Sequence, residues 1–181
     1  MLDILINSDD PPVGGDWSTS DALRSGARNL VDGCLGDVNG KTVLVVAEDP
    51  ALGWYDSAAP ACVASVLGEM GAIVKNLRVG APQNQAFTPV QQALDTVDEA
   101  IFFARIGDQG RFKPLYRGPR SVMSYALNAE MLASGYGTLD HKAMVALKNA
   151  VDEVTLAARH IRVTCPLGTD FEGFKKYLLE R

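Results

Sequence analysis

Continuous apolar runs at Thr42–Ala47 (TVLVVA) and Ala100–Ala104 (AIFFA) dominate the first half of this chain. Runs of that length with no polar alternation predict strands buried on both faces. Ala72–Val79 predicts a further strand, and Val122–Tyr125 and Ile161–Thr164 predict a fourth and a fifth. Between them the apolar positions switch to helical spacing. Leu23, Ala27, Leu30, Val31 and Cys34 line one face of a helix that runs from a Ser20 N-cap to about Leu35. A second helix starts at Asp56 or Ser57, tolerates Pro60 in its first turn, and stops at Gly71. Pro89–Val97 and Ala126–Ala133 are shorter helices, the latter stopped at Gly135. Asp140 opens a long one with Met144, Leu147, Val151, Val154 and Ala158 on its apolar stripe. Residues 1–19 are irregular, broken by Asp9-Asp10-Pro11-Pro12 and Gly14-Gly15, and Asn39-Gly40 is a turn. Phe171, Phe174, Tyr177 and Leu178 predict an amphipathic terminal helix over 171–181.

Strands that alternate with helices imply a mostly parallel sheet with helices on both faces. The predicted fold class is therefore α/β, doubly wound and Rossmann-like. A length of 181 residues suits one domain spanning 1–181, and 47% apolar residues supply a core without metals or disulfides. A net charge of −5 argues against general nucleic-acid binding, which needs a basic surface. No stretch approaches the roughly 20 apolar residues of a membrane span. Met1–Ile6 has neither the basic start nor the long apolar segment of a secretory signal. Three widely spaced cysteines, Cys34, Cys62 and Cys165, favour reduced thiols and a cytoplasmic setting.

Motifs for chemistry are sparse. His141 and His160 have no second His or Cys at metal-motif spacing, so no metal site is expected. There is no Gly-x-Ser-x-Gly elbow and no Cys with an evident His partner. After the first strand, where a dinucleotide fold carries its glycines, the chain reads Glu48-Asp49-Pro50-Ala51-Leu52-Gly53-Trp54-Tyr55-Asp56. Acids stand where a pyrophosphate would sit, so no cofactor is expected. Two segments point to binding instead. Trp54 and Tyr55 follow the first strand, at the edge where parallel sheets bind ligands; the competing explanation is that they cover the sheet edge or an interface. Arg105–Arg120 carries Arg105, Arg111, Lys113, Arg117 and Arg120 against the single acid Asp108, with Phe112 and Tyr116 interleaved. Arg grips carboxylates bidentately, so a carboxylated ligand or a peptide terminus would suit this loop, as would a plain solvated rim. Tyr125, at the end of the fourth predicted strand, completes the candidate site of Trp54, Tyr55, Arg105, Arg111, Arg117 and Tyr125.

The segments Lys41–Ala47, Tyr125-Ala126-Leu127, Met131, Gly135, Asp140, Ile161-Arg162-Val163-Thr164 and Gly168-Thr169-Asp170 together resemble a known pattern. They are similar to the amino-terminal domain of the aminopeptidase T-like metallopeptidases and the 2,5-dihydroxypyridine dioxygenases. The resemblance covers about Lys41 to Asp170 and implies that fold. In that group the His and carboxylate metal ligands lie in a later domain, and no position here matches them. Only eleven residues follow Asp170. The expectation is a non-catalytic, homodimeric domain that binds a peptide or a small carboxylated molecule. Such a chain is similar to stand-alone proteins that hold a peptide for modification in natural-product biosynthesis, as in the crocagin pathway. The alternative is the front fragment of a metal-dependent aminopeptidase or ring-cleaving dioxygenase.

Overall fold

A computed structural model describes residues 21–108 and 118–174 of the chain. The irregular segment 1–19, the Ser20 cap and most of the basic loop, 109–117, lie outside the described residues. Two units are distinguished, Met1–Asp140 and His141–Arg181.

The first unit is built on a four-stranded sheet of β1 (Thr42–Glu48), β2 (Ile73–Val79), β3 (Glu99–Phe103) and β4 (Arg120–Met123). The spatial order is β2-β1-β3-β4, and every neighbouring pair is parallel. The chain leaves β1 for β2 through helix α2 (Ala58–Glu69). It then crosses back over β1 to β3 through α3 (Phe87–Leu94). Strand order therefore reverses between β1 and β3.

The two central strands carry the core on both faces, as their unbroken apolar runs require. Val43, Val45, Ile101 and Phe103 point to one side, where α1 (Asp21–Cys34), α2 and α4 (Ala129–Ala133) cover them. Leu44, Val46, Ala100 and Phe102 point to the other, beneath Val90 and Leu94 of α3. Each fully buried side chain of this size contributes roughly 1.5–3 kcal/mol, so the β1–β3 pair is the structural anchor. This is a doubly wound α/β arrangement with helices on both faces.

Two local devices place the helices. Asp56 Oδ1 accepts from the Ala59 amide at 2.9 Å, and its Oδ2 from the Ala129 amide at 2.8 Å. One carboxylate thus caps α2 and α4 together, satisfying amides that the helices themselves leave open. At the crossing of α1 and α4, a Cβ added to Gly26 would sit 2.0 Å from the Leu132 carbonyl oxygen. The glycine is what lets the two helices approach.

Gly135, predicted as a stop, begins a single helical turn, α5 (Gly135–Thr138), with Ser134 as its side-chain cap. The second unit holds α6 (His141–Ala157), β5 (His160–Thr164) and β6 (Asp170–Phe174). Here two expectations are corrected. β5 does not extend the parallel sheet; it pairs antiparallel with β6 in a two-stranded sheet of its own. Residues 170–174 are that strand rather than the start of a helix, while 175–181 lie outside the described residues. Cross-strand pairs explain the outcome: Arg162 meets Asp170 through two bonds of 2.9 Å, and His160 Nε2 lies 2.6 Å from Glu172 Oε1. The spacing of three between Phe171 and Phe174 fits a helix face, but the non-local pairing with β5 wins.

Candidate functional site

β1 ends on an acid. Glu48 is 1% exposed although it terminates a strand, and its carboxylate has a dedicated partner. β3 leads through Ala104 into a tight turn at Arg105–Gly107. There the Arg105 amide donates to Glu48 Oε2 at 2.8 Å, Nε donates to Oε1 at 2.8 Å, and Nη2 donates to Oε1 as well. Backbone and guanidinium thus clamp one carboxylate, a charge-assisted set stronger than neutral hydrogen bonds. The guanidinium carbon lies 4.6 Å from the centroid of the Trp54 ring, a cation–π contact. Trp54 is 53% exposed, and Arg105 keeps 29% of its side chain in solvent.

The loops after three strands converge here. Tyr55, from the loop after β1, is buried and donates its hydroxyl to the Ser124 carbonyl, 3.1 Å away, just past β4. Burial, with Glu48 nearby, pushes its phenol up to about 12. Tyr125 is exposed and donates to Asp108 Oδ1 at 2.6 Å, at the end of the Arg105 turn. These residues occupy the carboxyl edge of a parallel sheet, beside the reversal between β1 and β3. That is where open α/β sheets hold their ligands.

The structure therefore brings Trp54, Tyr55, Arg105 and Tyr125 to one edge. Their roles differ. Tyr55 is a buried strut that packs at the sheet edge, whereas Trp54 and Tyr125 face solvent. Arg105 is not part of a free basic rim, because part of its fork is held by Glu48. Among the described residues, Nη1 and the second Nη2 hydrogen have no partner. Arg111 and Arg117 lie outside the described residues, as do Phe112, Lys113 and Tyr116. Sequence reasoning missed Glu48 as the organiser. Its one signal is an acid closing an otherwise apolar strand. Asp49 serves the backbone, accepting from the Ala51 amide at 3.0 Å.

Other reactive side chains do not assemble. Cys34 and Cys62 have thiols pushed up by burial. Cys165 is exposed, and its thiol is shifted down by hydrogen bonding to the Thr169 side chain and to turn amides. Among the described residues, no three of His, Cys, Asp and Glu come together as a metal-binding group. Among the described residues no helix is long and apolar enough to cross a membrane.

No protein-family model matches the chain, and no curated protein matches it in sequence. Among solved structures it is similar to 2,5-dihydroxypyridine dioxygenase from Pseudomonas putida KT2440. The two share 17% identity with a TM-score of 0.53 over 86% of this chain and 47% of the enzyme. A second similar structure is the N5,N10-methylenetetrahydrofolate dehydrogenase-cyclohydrolase of Trypanosoma brucei, complexed with NADP cofactor and inhibitor. It shares 13% identity with a TM-score of 0.40, over 74% of this chain and 52% of that one. The relation to the dioxygenase is a distant one of fold. The chain spans about half the length of either structure.

Proposed function

We propose that this chain is a binding module that holds a small carboxylated ligand or a peptide terminus over Arg105 and Trp54. The observation that carries the reading is the Arg105 guanidinium, clamped by buried Glu48 on one edge and stacked on half-exposed Trp54. The clamp fixes the fork before any ligand arrives, which lowers the ordering cost of binding. The Nη1 edge, which no described residue occupies, then offers a planar donor pair of the kind that suits a carboxylate. Because Glu48 already neutralises Arg105, recognition rests on directed hydrogen bonds and on the Trp54 ring more than on net charge. In a cell such a module would present a peptide for modification in natural-product biosynthesis, acting as a homodimer.

The test is calorimetric affinity for peptides with a free carboxyl terminus and for the same peptides amidated. Amidation should weaken binding about 10- to 100-fold, the scale of a charge-assisted hydrogen bond. Arg105→Lys, which keeps the charge but loses the fork, should reproduce that loss, and Trp54→Ala should also weaken binding. Equal affinity for both peptide forms would remove the carboxylate reading. A second reading, the front part of a metal-dependent aminopeptidase or dioxygenase, is favoured by one observation: the match covers 47% of the dioxygenase. An open reading frame continuing beyond Arg181 into His and Glu clusters would support it.

A further inference from the structure

Among the described residues, the second unit carries an apolar seam on α6 that stays exposed. Helix α6 has no buried residue along its 17 positions. Leu147 is 61% exposed, Val151 56% and Val154 72%. In proteins most helical stability comes from tertiary packing of an apolar face rather than from propensity. Met144, Leu147, Val151, Val154 and Ala158 follow a 3-4-3-4 spacing, the seam of a helix that packs against another helix. Ala150 and Ala157 flank it on one side.

We infer that α6 is a self-association surface whose occupant is the α6 of a second copy, packed antiparallel across a two-fold axis between Ala150 and Val151. Three features select this partner. First, the pattern is self-complementary about that point: Leu147 lies level with Val154 of the other copy, Met144 with Ala157, and Val151 with Ala150. Each of these pairs recurs on the other side of the axis, as an isologous interface requires. Second, charge is polarised along the helix, with Lys142 and Lys148 in its first half and Asp152 and Glu153 in its second. Antiparallel pairing runs the basic half of one copy beside the acidic half of the other. Parallel pairing would set like beside like. Third, antiparallel pairing also opposes the two helix dipoles favourably. This inference deepens the homodimer element of the proposed function by naming its surface, and it is independent of the ligand site.

The seam is about 21 Å long at 1.5 Å per residue, a short interface, so the dimer should dissociate on dilution. Sedimentation of the full chain from about 1 to 200 μM, the range in which weak interfaces dissociate, should show monomer converting to dimer. Leu147→Glu and Val151→Glu should shift the midpoint at least tenfold upward with unchanged circular dichroism. Val145→Glu, off the seam, should leave the midpoint in place. In a Cys165→Ser background, Val151→Cys should cross-link on oxidation and Met144→Cys should not. Cross-linking of both to the same extent indicates parallel pairing and overturns the geometry. A dimer unaffected by Leu147→Glu overturns the seam while leaving a homodimer standing. A monomer at every concentration overturns both.

Discussion

At the residue scale, the Glu48–Arg105 pair separates two kinds of ion pair. Exposed pairs such as Lys148–Asp152 contribute roughly 0–1 kcal/mol at most. The Glu48 side chain has no exposure, so removing its partner strands a buried charge. Arg105→Ala should therefore destabilise by about 3–5 kcal/mol in urea unfolding, whereas Lys148→Ala should cost less than about 1. A Glu48→Leu, Arg105→Met double substitution should recover most of that loss, because an apolar pair of similar size needs no desolvated charge. Tyr55 gives a pH test. Its folded-state value near 12 lies above the ordinary 10, so the folded protein keeps a proton that the unfolded chain releases. Its contribution is complete below about pH 10, then falls as pH rises, by on the order of 2 kcal/mol across the window to 12. Tyr55→Phe should flatten that part of a stability–pH curve. Thiol chemistry should follow burial: iodoacetamide should modify exposed Cys165 well before Cys62, since the thiolate is the nucleophile and the two thiols shift in opposite directions.

At the element scale, Gly26 sets two effects against each other. Alanine improves helix propensity by about 1 kcal/mol. Its methyl, however, would meet the Leu132 carbonyl oxygen at 2.0 Å, an overlap with backbone that no side-chain rotation relieves. Overpacking of that sort costs about 1–3 kcal/mol, so Gly26→Ala should be net destabilising in thermal or urea unfolding despite the better helix former. The elements that sequence reveals are those settled locally. TVLVVA and AIFFA are strands whatever surrounds them, and α1 shows its face in Leu23, Ala27 and Val31. Phe171 and Phe174 mislead because a spacing of three fits one helix face as well as an irregular strand. Only pairing with residues 160–164 decides between them. Glu48 is hidden for the same reason: its partner stands 57 positions later, at the end of another strand. A carboxylate that closes an apolar strand is ambiguous until topology supplies the cation. Four of the six predicted site residues meet at one edge because β1, β3 and β4 are parallel neighbours. The candidate loops follow from the strands, while the commitment of Arg105 to Glu48 does not.

At the scale of the whole molecule, the two units differ in how their hydrogen bonds are protected. In the first, β1 and β3 are interior strands, paired on both sides and covered on both faces. Their amides open only with global unfolding, so their exchange with deuterated solvent should be slow and independent of protein concentration. In the second unit, α6 buries nothing by itself, and local opening should govern its amides. If the seam at Leu147, Val151 and Val154 is covered by a second copy, opening first requires dissociation. Protection of amides 144–154 should then rise with concentration, by about tenfold for each tenfold increase in free partner once the dimer predominates. Hydrogen-exchange mass spectrometry at about 2 and 200 μM, well-separated points on a mass-action curve, reads both regions in one sample. Peptides from Thr42–Glu48 and Glu99–Phe103 serve as internal standards. Slow exchange in α6 that ignores concentration would mean its cover belongs to the same chain, and a fast, invariant α6 would mean it has none.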